Sequence, residues 1–179
     1  DVPSDARERI DRVEAAVCVQ ANNRLFAVIF WFVVLGPLAA WAYRVTDLIR
    51  RRAVFTAARD EQDSGSLVQI RNAAEWVHGW LAWIPARLTS FGYATAGHYD
   101  DGIAAMRAPT EDRDATTAEH SEHLLARVGV AALALEDRQD ESVTERAIRG
   151  AMAANKLVFR QLLIWAVIIA AMTLYGFTR

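Results

Sequence analysis

Residues 25–43 read Leu25-Phe-Ala-Val-Ile-Phe-Trp-Phe-Val-Val-Leu-Gly36-Pro37-Leu-Ala-Ala-Trp-Ala-Tyr43, 19 residues without a charge between Arg24 and Arg44. As one helix this stretch measures about 28 Å, close to the roughly 30 Å hydrocarbon core of a bilayer. Its one irregularity is Gly36-Pro37, where proline removes a backbone donor and is expected to kink the helix. A second uncharged run of 18 residues, Gln161–Thr178, lies between Arg160 and Arg179. Two such runs in 179 residues are rare in a soluble domain. The composition, 53% apolar and 23% charged, hides them by averaging. The reading is an integral membrane protein with two transmembrane helices.

Charge and cysteine content exclude several classes. A net charge of −2 argues against a strongly basic nucleic-acid binder, and Lys156 is the only lysine. That removes a Gly-x-x-x-x-Gly-Lys phosphate loop as well. One cysteine, Cys18, excludes a disulfide framework and any multi-cysteine zinc site. No cofactor is implied. The partners expected are the lipid bilayer and other membrane proteins or a second copy, with no nucleic acid.

Working outward, residues 5–23 open with Asp5-Ala-Arg-Glu8, which resembles a capping box, and place Ile10, Val13 and Val17 on one helical face. Residues 44–60 extend the first span as a charged stalk, broken near Asp63-Ser-Gly65. Residues 66–97 are helical and more apolar. Residues 98–116 form a polar loop, 117–135 a helix, and Ser142-Val-Thr-Glu145 a second capping box that starts a helix running into the last span. No strand-period alternation or internal repeat is present. The fold class is all-α. The organisation is an amphipathic entry helix over 1–23, a transmembrane helix over 24–44, a cytoplasmic or interfacial helical region over 45–157 and a C-terminal transmembrane helix over 158–179. Arg44, Arg50, Arg51, Arg52 and Arg59 after the first span, with Arg146, Arg149, Lys156 and Arg160 before the last, place the middle segment in the cytoplasm by the positive-inside rule. Both chain ends then lie opposite. The chain opens at Asp1 rather than Met, and an upstream portion with further spans is expected.

The segment 66–97 carries Trp76, Trp80 and Trp83 at i, i+4 and i+7, a membrane-interface face. Arg87 makes a lipid-facing span costly, so the helix is read as interfacial or partly inserted. The rival is a third span with Arg87 facing a protein cavity. Arg44 has a plain reading as a helix-end anchor and Arg87 as a snorkelling or paired arginine. Either also suits an anionic ligand. Glu119-His120-Ser-Glu122-His123 and Tyr99-Asp100-Asp101 have metal-ligand residue types, but a solvated helical turn and a polar loop explain them as well. No catalytic residue can be picked out by spacing.

Val19-Gln-Ala-Asn-Asn-Arg24 through Pro37, followed by Ala42-Tyr43-Arg44, resembles the signature of the AmpE family of inner-membrane proteins. Pro85-Ala86-Arg87-Leu88 resembles a motif that this family shares with the cobalamin-pathway synthases called CobD or CbiB. The resemblance implies a multi-pass protein of the bacterial cytoplasmic (inner) membrane, a regulatory or accessory protein linked to β-lactamase induction. It implies a ligand pocket from Asn22, Tyr43, Arg44 and Arg87. An accessory subunit of a larger membrane complex is the first alternative, and an amide-forming synthase the second. The synthase pattern has Glu-Asn where this chain has Gln20-Ala-Asn22-Asn23, which removes an expected carboxylate.

Overall fold

The computed structural model describes residues 4–57, 65–109, 115–136, 138 and 141–176. Helices dominate, and no strand occurs among the described residues. They are α1 (Ser4–Ala21), α2 (Ala27–Leu35), α3 (Pro37–Ala57), α4 (Gly65–Ala96), α5 (Tyr99–Arg107), α6 (Thr117–Leu133) and α7 (Val143–Leu174). A π-helical segment, Asn22–Phe26, joins α1 to α2 without a break.

The capping chemistry behaves as its residue types require. Ser142 accepts from the backbone N–H of Glu145, whose carboxylate accepts from Ser142 in return, and Thr116 with Glu119 makes a second closed box at the start of α6. α7 then runs unbroken from the polar surface into the apolar 161–174 stretch. Two stretches are long and apolar enough to cross a membrane, Ser4–Leu35 and Val143–Leu174.

The bundle is built on close approach. In α1 the buried stripe is Ala6, Ile10, Glu14, Cys18 and Ala21. Val13, expected on this face, is 58% exposed. Cys18 meets α6 at Gly129, where a Cβ would lie 2.6 Å from the Cys18 sulfur, so only glycine admits this packing. Cys18, Phe26, Tyr93, Leu125, Val128 and Leu157 form the core. Tyr93 donates its hydroxyl to the Cys18 carbonyl at 2.7 Å. Between α1 and α7, Glu14 receives Arg146 at 2.6 Å with both side chains buried, and Asp11 lies 3.5 Å from the same guanidinium at the rim. Gly150 makes the room, because a Cβ there would fall on the Glu14 carboxylate. Glu14 meets Arg146 while Leu157 joins Cys18 and Phe26, so α7 runs in the same direction as α1.

The expected single span over residues 24–44 is not one helix. It divides at Gly36, whose φ of 85° and ψ of −172° suit glycine alone, and Pro37 opens the next helix. The chain folds back there. A continuous helix would hold Asn23 and Tyr43 about 30 Å apart, yet the Tyr43 hydroxyl donates to Asn23 at 3.3 Å. Arg51 likewise reaches Gln20 at 2.9 Å, and Ala27 packs in one cluster with Tyr43 and Ala82. The Gly36-Pro37 pair is therefore a hairpin turn rather than a kink. A second difference concerns residues 98–116, expected as a loop. Residues 99–107 are α5, started by Asp100 and Asp101 in the first turn and pressed on α4 where Gly102 faces Ala94. Of the proposed stalk, residues 44–57 lie on α3, and residues 58–64, with the expected break near residue 63, lie outside the described residues.

Breaking the buried pair should cost far more than trimming its rim. Glu14→Ala leaves Arg146 buried and unpaired, an expected loss of about 3–5 kcal/mol, whereas the half-exposed Asp11→Ala should cost less than about 1 kcal/mol. Thermal melting of both variants in mild detergent checks this. Equal losses would rule out the Glu14–Arg146 pair as the main α1–α7 tie.

Candidate functional site

The base of the α2–α3 hairpin collects most of the buried polar side chains of α1 to α4. The π-helical segment is where this starts. An i→i+5 turn takes in one extra residue, and the Ala27 N–H reaches the Asn22 carbonyl. Successive residues Asn22 and Asn23 are both buried there. Asn22 donates its amide to Asn23 Oδ1 at 3.0 Å, and Tyr43 donates to the same oxygen. Asn23 in turn donates to Glu122 of α6 at 3.3 Å. Arg50 ends the chain of bonds with a forked pair to Glu122 at 2.6 and 3.1 Å.

Asp47, fully buried, lies one turn beyond Tyr43 and is held between two arginines, Arg44 at 2.7 Å and Arg51 at 2.9 Å. His78 from α4 lies across the Tyr43 ring, centroids 5.3 Å apart. Trp31 donates its indole N–H to the Leu81 carbonyl at 3.1 Å, which ties the hairpin to α4 one turn away. Four segments thus meet in one polar knot: the π segment, α3, α4 and α6.

The charges are arranged to cancel. Burial alone would raise the Glu122 carboxyl, but the hydrogen bond and charge of Arg50 outweigh it and hold the group below the ordinary carboxylate range. His78 is pushed down to about 4, first by burial and then by the Arg50 charge. It is neutral at physiological pH. Three buried polar atoms of the knot find no partner among the described residues: Asn22 Oδ1, His78 Nδ1 and the Arg50 Nε. Buried polar groups without partners are uncommon and call for water or a ligand. An open groove of about 300 Å³ between α1 and α6, lined by Gln20, Glu119, Glu122 and His123 among others, leads to the Glu122 side of the knot.

Of the residues expected from sequence, Asn22, Tyr43 and Arg44 come together here. Arg87 does not. It lies nine residues beyond His78 on α4, about 14 Å along the axis, with its guanidinium 3.9 Å from the Trp83 ring centroid and one N–H donated to the Trp83 carbonyl. Trp76, Trp80 and Trp83 are 68%, 63% and 44% exposed. Glu119 and Glu122, considered together as metal ligands, diverge, the first closing the Thr116 cap and the second holding Arg50. Among the described residues no group of three or more His, Cys, Asp or Glu side chains is placed to hold a metal. Asp47, Arg50 and His78 carry no spacing signal that would single them out, and Glu122 stood out only as a possible metal ligand. The one available cue was Asn22-Asn23, two adjacent amides ahead of an apolar run.

The family model described as "Regulatory signalling modulator protein AmpE" matches residues 1–178. No curated protein and no solved structure matches the chain.

The His78 environment sets a pH dependence. Its folded value lies below the ordinary 6.5, so between pH 6.5 and 4 the unfolded chain binds a proton that the folded chain refuses. Stability should fall as pH drops through that window, by on the order of 2–3 kcal/mol. His78→Phe, which cannot titrate, should flatten the melting temperature between pH 6.5 and 4.5. An unchanged slope would show that His78 is not the titrating group.

Proposed function

The chain belongs to the AmpE family, and from that premise we propose that it is a regulatory protein of the bacterial cytoplasmic membrane that binds a small polar ligand at the hairpin base without transforming it. The observation that carries this reading is the state of the polar groups. Asp47 and Glu122 are both engaged by arginines, and a histidine with a pKa near 4 is a poor proton acceptor at neutral pH. Among the described groups of the knot, no carboxylate or imidazole is left ready as a general base for amide-bond chemistry. Asn22, His78 and Arg50 each keep one hydrogen-bonding atom unused, which suits a ligand that carries both donors and acceptors.

A ligand at this knot touches groups on three helices and the π segment at once. Its binding energy can therefore change how the hairpin sits on α4 and α6, which is what a modulator needs. The family's link to β-lactamase induction gives the output. Asn22→Leu, close in volume but without the amide, should cut the induction response at least several-fold in a host lacking its own copy, with the protein still present in the membrane. Arg87→Ala should leave induction near its normal level. Normal induction by membrane-inserted Asn22→Leu, or its loss with Arg87→Ala alone, would move the site away from the hairpin base.

A further inference from the structure

The hairpin is also where apolar surface leaves the bundle. Phe32, Val34, Leu35, Leu38 and Trp41 are 54–80% exposed around the turn. Only Ala27 of α2 is buried. Five large apolar side chains on one tip form a patch that water tolerates poorly. α7 leaves the bundle at the same end: Gln161 is its last buried residue, and Leu163, Val167, Ile168 and Leu174 stand exposed beyond it. Because α1 and α7 run the same way and Phe26 and Leu157 share the core, the two apolar surfaces start at one level.

Their lengths differ. From Phe26 to Gly36 the chain rises about 15 Å, and from Leu157 to Leu174 about 26 Å. Against a hydrocarbon core of roughly 30 Å the hairpin reaches half-way and α7 nearly across. Charge follows the same levels. Arg24, Arg44 and Arg52 flank the base of the hairpin, and residues 25–43 carry none. Part of the turn's backbone is satisfied within the hairpin. The Gly36 N–H reaches the Phe32 carbonyl at 2.9 Å, the Ala40 N–H reaches the Gly36 carbonyl at 3.3 Å, and Pro37 has no N–H to satisfy.

We infer that the α2–α3 hairpin is re-entrant: it enters the bilayer from one face, ends within the acyl chains and returns to the face it entered. Residues 4–24 and 44–57 then share one side of the membrane. The tip's occupant is lipid rather than protein, since its apolar surface is level with that of α7 and arginines mark its base. This topology stands independently of the ligand reading above.

Cysteine accessibility in the full chain tests it. Cys18→Ala removes the native thiol, and single cysteines replace Arg24, Leu48, Leu38 or Val34, with Ile49→Cys as a second choice for the α3 side. Inner-membrane vesicles of both orientations are treated with a membrane-impermeant maleimide. Arg24→Cys and Leu48→Cys should label in the same orientation. Leu38→Cys and Val34→Cys should stay unlabelled in both, and a fluorophore placed at either should be quenched at least two-fold by lipids brominated at mid-chain. Labelling of Arg24→Cys and Leu48→Cys from opposite faces would mean a full crossing and overturn the inference. So would aqueous labelling of the tip from either face. A tip neither labelled nor quenched would be covered by protein, which overturns the lipid assignment.

Discussion

One backbone conformation at Gly36 decides the arrangement of the first third of the molecule. With φ of 85° and ψ of −172°, the chain reverses within one residue, and Pro37 starts the return helix with its φ already set. Any residue with a Cβ is strained in that region, so the turn depends on glycine as a matter of sterics rather than preference. Everything at the hairpin base follows from the reversal. Tyr43, Asp47, Arg50 and Arg51 reach the π segment, α4 and α6 only because α3 runs back along its own chain.

The polar knot below the turn shows how a bundle with small core residues holds charge. Its carboxylates are each engaged by arginine, Asp47 within α3 and Glu122 by Arg50 across elements distant in sequence. A buried pair of this kind adds little net stability over an apolar substitute, because desolvation offsets the attraction. It does penalise every arrangement that separates the partners. The same logic holds for Glu14 and Arg146, where the glycine at position 150 and the pair require each other. Geometry, more than energy, is what these contacts contribute.

The helices were legible in the sequence where local signals act alone. Ser142 to Glu145 announced α7, the helical readings of 66–97 and 117–135 match α4 and α6, and 161–174 read correctly as a long apolar helix. The hairpin was not legible, because a Gly-Pro pair in an apolar run serves equally for a kinked span and for a reversal. The choice rests on contacts between residues twenty or more apart. α5 was hidden by glycine and acidic residues that favour loops in isolation but pack on α4 here. Within the candidate site, Asn22, Tyr43 and Arg44 were singled out through the family resemblance. His78 was masked by the tryptophans around it, and Glu122 by its neighbours on a solvated helical turn. Arg87 drew attention for its setting, but its partner proved to be the ring one turn away.

The π-helical segment has a consequence for phase. From Ala6 the inward positions step by four residues through Ile10, Glu14, Cys18, Asn22 and Phe26. On a helix of 3.6 residues per turn each such step drifts by about 40°, so five steps would carry Phe26 about 200° around from Ala6. One extra residue in an i→i+5 turn takes back about 100° of that drift. The segment thus works as an angular correction between the bundle and the hairpin. Losing one residue anywhere in Asn22–Phe26 would leave both helices intact and aim the hairpin a quarter-turn away from α4.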